Sequence, residues 1–556
     1  MCGIVSIINR EYIYEKEKIF LKGMNRGPES HKEYNFQDVW FGFHRLAING
    51  LNDLSDQPFV IDNIILICNG EIYNYKELYK SLNIEPNTNS DCEVIIHLYK
   101  KFGMDYTLKV LDGYFSFILC DSNLDAPKIF VARDSFGVRP LYETTIKMFG
   151  KKDIFGFASE LKVLNEMNCS TIQQFTPGTY KEFRHTKYGY EDHHWEFVRE
   201  ERYFNIPKVV KKETELSEYL KSIYFNLENA VKKRVCGTCE RNIACLLSGG
   251  LDSSIICSLV KKYYTGTLHT YSIGMKGSED LNYAKIVSQH IGSTHHEIIV
   301  SQEDFLQTIP IVIHSIESYD TTTVRASVGN YLIGKYISEN SDSKVIFNGD
   351  GSDEVTGGYI YLLNAPDDIT FDYECRNLLN QIHYFDVLRS DKCISSHGLE
   401  PRTPFLDTTF VQDYMSIPEK IRNPRSKWNM ENTLWDTMEE TKKRPEKLLL
   451  RYSIQYMNPS LLPKEVLWRT KEAFSDGVSG ENGSWYNIIK ESMKGYEKNT
   501  DYTFNPPTTP EQSYYRDIFE KEYKGHASSI PYFWMPKFVD AVDPSARTLS
   551  IYNPGL

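Results

Sequence analysis

No stretch of this 556-residue chain holds the roughly 18–20 consecutive apolar residues that a membrane-spanning helix needs. The first residues also lack the apolar core of a secretion signal. Basic residues are not in surplus: 63 Lys and Arg against 75 Asp and Glu give a net charge of −12, which argues against a nucleic-acid partner. Cysteine is sparse. Eleven in so long a chain do not make the disulfide framework of a small secreted domain, and point to a reducing, cytoplasmic compartment. Metal-ligand clusters are missing too. No Cys or carboxylate cluster accompanies His193-His194 at ligand spacing, which favours surface histidines. Cys236-Gly237-Thr238-Cys239 has no second pair and precedes a strand, which favours a loop with two thiols over a redox or zinc motif. What remains is a globular composition, 25% charged and 41% hydrophobic, in a chain long enough for two or more domains.

The first informative residue is the second one. Cys2 follows the initiator Met1, which is normally trimmed ahead of a small residue. Cys2 would then carry an α-amine and a thiol together. An α-amine with its ordinary pKa of about 7.7–8.0 can act as base for that thiol at neutral pH, without a separate histidine.

Over the first two hundred residues, short apolar runs at Val39–Phe43, Ile64–Cys68, Phe115–Cys120, Lys128–Ala132 and Phe155–Ala158 alternate with turn residues. Helical patterns interrupt them at Glu15–Met24, Tyr75–Leu82 and Cys92–Phe102. A mixed α/β domain with stacked sheets is expected. Polar clusters sit at the ends of these runs: Arg26-Gly27-Pro28-Glu29, Arg45 with Leu46-Ala47-Ile48-Asn49, Asn69-Gly70-Glu71, and Ser90-Asp91. Each has a structural explanation when taken alone. Asn-Gly is a common turn dipeptide, and Ser90-Asp91 suits a helix N-cap. Together, behind an N-terminal Cys, they suit a different task. Arg45 can grip a carboxylate, Asp91 and Glu71 can receive an α-ammonium, and Asn69 with Gly70 can donate to an oxyanion.

With those residues in place, the segment from Met1 to about Lys181 resembles the class II glutamine amidotransferase domain, an N-terminal-nucleophile fold. The resemblance implies that Cys2 attacks the side-chain amide of glutamine and releases ammonia through a thioester. It also implies that Arg45–Asn49, Asn69-Gly70-Glu71 and Asp91 bind glutamine. Glu29 departs from the usual Asp of this family but keeps the charge.

From about Arg184 to Glu215 the composition turns charged and aromatic, as in an interdomain connection. Then comes a strand pattern at Ile243–Leu247, the turn Ser248-Gly249-Gly250-Leu251-Asp252-Ser253-Ser254, and a helix pattern at Ile255–Val260. Backbone N–H groups at such a helix start cradle a phosphate, and Asp252 can hold Mg²⁺. A Walker A ending is absent. The loop resembles the pyrophosphate loop of ATP pyrophosphatases, which cleave ATP between the α- and β-phosphates and adenylate a carboxylate. Further strand patterns at Thr270–Ile273 and Lys344–Phe347, with a helix pattern at Asp280–Ile291 between them, argue for a parallel sheet with its ligand site at the carboxyl ends of the strands.

Taken with Tyr319–Arg325, Arg402–Asp407, Arg469–Val478 and Asp543-Pro544-Ser545, these strings resemble the glutamine-hydrolysing asparagine synthetases along essentially the whole chain. The implied fold is an N-terminal-nucleophile α/β/β/α sandwich followed by a doubly wound parallel-sheet domain. The expected division is amidotransferase 2–185, linker 186–215, synthetase 216–525 and a loosely packed tail from about residue 523 or 526 to 556. By resemblance, Leu247, Ser248, Gly249, Gly250, Asp252, Ser253, Ile273, Asn348 and Gly349 contact ATP, and Asp252 with Asp353 holds Mg²⁺. Arg325 and Lys471 neutralise phosphate charge, and Asp350 takes the proton from attacking ammonia. Asp350 stands where the family usually has Glu, and Asn348 where Ser is common. A base about 1 Å out of place can lose about a hundredfold in rate, so Asp350→Glu is expected to keep or raise turnover.

The expected partners are the small molecules glutamine, aspartate and ATP, with no nucleic acid and no membrane. Homodimers are common among the proteins the chain resembles, and the sequence itself does not fix the oligomeric state. Three alternatives stay open: a sister synthetase acting on another carboxylate, an amidotransferase with a sugar-phosphate partner, and an inactive binding or regulatory relative.

Overall fold

The computed structural model describes residues 1–10, 15–122, 127–149, 152–188, 192–208, 210–238, 240–433, 435, 439–472, 474–479 and 484–549. The first part of the chain forms two six-stranded antiparallel sheets. Strands alternate their side chains between faces, and that period decides the layers. Ile4 and Ile8 of strand Gly3–Ile8 pack with Ile65, Ile67, Ile118 and Val131 between the sheets. Val5 and Ile7 point the other way, into a core shared with Phe305, Ile309 and Val312 of helix Gln302–Ile316. The outer face of the second sheet buries Leu66, Phe117 and Phe130 against helices Tyr75–Leu82 and Val94–Phe102. The expected α/β/β/α sandwich is therefore present, and its first sheet docks directly on the second half of the chain.

The strand patterns lie where the sequence places them, often longer: by a residue or two in Lys128–Arg133 and Val39–Arg45, and by more in Ile64–Ile72 and Gly113–Asp121. The linker boundary is corrected. Strands Thr179–Tyr188 and Asp192–Arg202 pair with each other at the edge of the second sheet, so the chain leaves the sandwich only after Arg202. Trp195 is buried there while Glu196, Arg199 and Glu200 face solvent. One wet face makes an edge strand read as a charged connection.

The second half is built on a five-stranded parallel sheet, ordered Thr294–Ile299, His269–Gly274, Asn242–Leu246, Ser343–Phe347 and Glu400–Arg402. The first strand in sequence is central, and the order reverses beside it. That reversal opens a crevice between the ends of Asn242–Leu246 and Ser343–Phe347, where doubly wound sheets take their ligands.

The expected loose tail is also corrected for its described part. Tyr523, Ile530 and Leu549 are buried, and Trp534, Pro544 and Ser545 line the crevice. The Gly, Pro and Ser of this segment suppress regular structure without preventing packing. No helix among the described residues is long and apolar enough to cross a membrane.

Candidate active sites

Strand Gly3–Ile8 carries Cys2 at its head, beside the end of strand Val39–Arg45. The Cys2 thiol lies 3.6 Å from the Leu46 carbonyl oxygen, and its own carbonyl accepts from Arg26 Nε at 3.0 Å. Met1 is buried at 1% exposure. Burial lowers its ammonium to about 5 and pushes the Cys2 thiol up to about 11. A thiol so placed is a poor nucleophile at neutral pH.

The expected glutamine residues gather around this point. Asn69 is 1% exposed, and among the described residues neither its amide nitrogen nor its oxygen has a hydrogen-bond partner. A buried unpaired amide is costly, and this one is free to receive a ligand. Glu71 accepts from Asn49 Nδ2 at 3.2 Å and meets Arg402 of the second half at 2.9 Å. Burial pushes Glu71 up, against the pull of Arg402. Asp91, raised by burial to about 6, accepts from the Ile72 amide at 2.7 Å. Ser90 caps the short 3₁₀ turn Asp91–Glu93, as its position suggests. Gly70 follows Asn69 in strand Ile64–Ile72.

The Arg45 guanidinium donates to the carbonyls of Asn52 and Gly50 and pairs with Asp56, so it also shapes the loop that follows its strand. The same loop is held from the second half. Glu240 accepts from the Gly50 amide at 2.8 Å, and Arg241 donates to Ala47 O and Glu29, both at 2.7 Å. Ile48 and Leu46 are buried beneath.

The second site fills the crevice. Leu247, Ser248, Gly250, Asp252, Ser253, Ile273, Asn348 and Gly349 all line it. Gly249 does not: it makes the tight turn at φ +74°, where a Cβ would lie 2.4 Å from Ala284 N. Ser248 and Ser253 bond through their hydroxyls at 3.0 Å, drawing the loop closed around the start of helix Leu251–Tyr263. Loop Asn348–Asp353 approaches so closely that a Cβ on Gly349 would sit 2.8 Å from Asp252 Cβ. The two carboxylates expected to hold Mg²⁺ thus face one another across this contact.

Between them stands a residue that the sequence reading missed. Lys447 Nζ lies 2.6 Å from both Asp252 and Asp353, and Lys471 Nζ pairs with Asp353 at 2.6 Å. Burial opposes the charge on Asp353, but the two lysines hold its pKa below the usual carboxylate range. Lys447 sits at φ +57° ahead of Leu448–Met457, a backbone state that bulky residues adopt only when surroundings enforce it. Its sequence signal, one lysine before three leucines, is no motif at all.

Asp350 borders the same cavity. It accepts from Asn348 Nδ2 at 2.9 Å and lies 3.4 Å from Arg389, which pairs with Asp386 at 2.8 Å. Burial raises Asp386 despite Arg389. Arg325 lines the same cavity. Its guanidinium is gripped by Glu511 and Asp543 at 3% exposure, which ties the C-terminal segment to the cavity wall. Cys236 ends helix Leu216–Cys236, and Cys239 lies outside the described residues.

These two sites fall inside two family matches. A glutamine amidotransferase domain matches residues 1–219, and asparagine synthase matches residues 223–372 and 363–538. The glutamine-hydrolysing asparagine synthetase of Gallus gallus is 40% identical over 592 aligned residues, covering 100% of both chains. The enzymes of that name from Rattus norvegicus and Homo sapiens are 39% and 38% identical, each covering 100% of this chain and 99% of theirs. Likeness running from end to end, across both halves at once, means that this chain belongs to the family of glutamine-hydrolysing asparagine synthetases.

Proposed function

We propose that the chain makes L-asparagine from L-aspartate, L-glutamine and ATP, releasing AMP, pyrophosphate and L-glutamate. In the sandwich, Cys2 freed of Met1 uses its own amine as base and attacks the side-chain amide of glutamine. Asn69 and the backbone at Gly70 donate to the oxyanion, and Glu71 with Asp91 takes the α-ammonium. Ammonia leaves, and water resolves the thioester to glutamate.

In the crevice, the aspartate β-carboxylate attacks the α-phosphorus of ATP, giving β-aspartyl-AMP as the bond to pyrophosphate breaks. Asp252 and Asp353 suit Mg²⁺, since they are two carboxylates facing a phosphate cradle and that ion is commonly held by one or two acids plus substrate phosphates. When bound, the ion would supply charge neutralisation to the pyrophosphate. Lys447 and Lys471, already beside those acids, are placed to follow the leaving charge. Ammonia then attacks the acyl carbon, Asp350 takes its proton, and AMP departs. Ammonia released to water at neutral pH is almost wholly protonated, so the reading requires a shielded route.

The observation that carries this proposal is the meeting of loops Ser248–Ser253 and Asn348–Asp353 at the point where the strand order reverses, with Asp252, Asp353 and two lysines in contact. The test is an assay with glutamine, aspartate, ATP and Mg²⁺, run beside other carboxylates. Asparagine, AMP and pyrophosphate should form in equal amounts, whereas ADP and phosphate would refute adenylation. Cys2→Ala should abolish the glutamine-dependent reaction and keep the ammonia-dependent one; loss of both would refute the division of labour.

A further inference from the structure

We propose that the second half of the chain supplies positioning residues to the glutaminase site, chief among them Asp391. The proposal rests on Cys2 being the nucleophile. Arg26 is the residue that holds the Cys2 main chain, through Nε to the carbonyl at 3.0 Å. Its own half offers the guanidinium little else: Glu160 lies 3.8 Å away, and Nη2 has no hydrogen-bond partner among the described residues. The orienting bonds come from helix Asp386–Ser395 of the other half. Arg26 Nη1 donates to Asp391 Oδ1 at 2.8 Å and to Ser395 Oγ at 3.0 Å. Those two residues lie four apart, so they share one helix face.

Asp391 also begins a ladder of opposite charges. It faces Arg139 at 3.7 Å, Arg139 faces Glu400 at 3.4 Å, Glu400 meets Arg402 at 2.7 Å, and Arg402 meets Glu71 at 2.9 Å. Signs alternate from Arg26 to Glu71, and each member is at most 5% exposed. Asp391, Glu400 and Arg402 belong to the synthetase half; Arg26, Arg139 and Glu71 belong to the sandwich. One end of the ladder fixes the nucleophile's carbonyl, and the other fixes the acid placed to receive the substrate ammonium. Buried ion pairs add little net stability because desolvation offsets their attraction. What such a ladder sets is position. A misplaced nucleophile loses rate while substrate binding persists, and Asp391 is not among the residues that line the adenylating cavity.

The test uses the full chain with Met1 removed and compares Asp391→Asn with the parent. Three quantities are read: steady-state glutaminase kcat and KM, the rate of Cys2 alkylation by 6-diazo-5-oxo-L-norleucine, and ammonia-dependent asparagine synthesis. Glutaminase kcat and the alkylation rate should both fall about tenfold or more, with the KM for glutamine and ammonia-dependent synthesis little changed. Unchanged alkylation would overturn the proposal. So would a parallel loss of ammonia-dependent synthesis, which would mark Asp391 as merely structural. Should Asp391→Asn fail to fold, Ser395→Ala removes the other orienting bond and should slow alkylation by a smaller factor; no change there would equally overturn it. Cys2→Ala is run alongside. Glutamine hydrolysis persisting in that variant would refute the nucleophile assignment itself.

Discussion

Asn348 and Asp350 stand two residues apart on the loop beside the adenylating cavity, and the amide of one holds the carboxylate of the other. Asn348 Nδ2 bridges Asp350 Oδ2 and Ser390 Oγ, at 2.9 and 2.7 Å, while its Oδ1 accepts from the Asp350 amide at 3.3 Å. This reverses the expectation for Asp350→Glu: a longer acid beside Asn348 displaces the bridge, so the single change should lower ammonia-dependent kcat. Asn348→Ser alone should lower it about tenfold, by releasing the carboxylate. The double variant should recover most of the loss, and a strictly multiplicative cycle would show the two residues to be independent. The ion pairs of Arg45 and Arg325 are not legible in the sequence because their partners are invisible from local context. Asp56 closes a loop onto Arg45, and Glu511 and Asp543 reach Arg325 from about two hundred positions away. Lys447 escapes notice for the same reason.

Elements are easier to read than partners. Period-two patterns locate the sandwich strands, and the glycine turn before a helix locates the pyrophosphate-type loop, because local sterics dictate both. Edge strand Asp192–Arg202 and the segment after Tyr523 mislead, since both take their order from what they pack against. The second case can be tested. Truncation after Gly525 removes Trp534, Pro544, Ser545 and Leu549 from the cavity wall and Asp543 from Arg325. ATP–pyrophosphate exchange should be lost, while glutaminase activity, measured without ATP, should survive. Equal loss of both would show that the segment supports the whole fold instead.

At the scale of the molecule, the halves meet through buried charge as well as apolar surface. Lys392 and Glu317 form an ion pair at 0% exposure on both sides. Glu317 also accepts from the Leu161 and Lys162 amides of the sandwich, each at 2.8 Å, and Lys392 donates to Tyr142 at 2.9 Å. Lys392→Met should leave a buried carboxylate uncompensated and cost about 3–5 kcal/mol, read as a lower midpoint of urea unfolding. Adding Glu317→Gln should restore most of it. No recovery would mean that the lost packing and hydrogen bonding of the lysine outweigh the stranded charge.

Burial of the first residue fixes an order of events in the life of the chain. Met1 lies under both halves, with Glu400, Arg26 and Arg139 around its amine, where no exopeptidase can grasp it. If Cys2 is the nucleophile proposed above, trimming belongs to the nascent chain, before the halves close. A copy that closes with Met1 in place is then left with free ammonia as its nitrogen source.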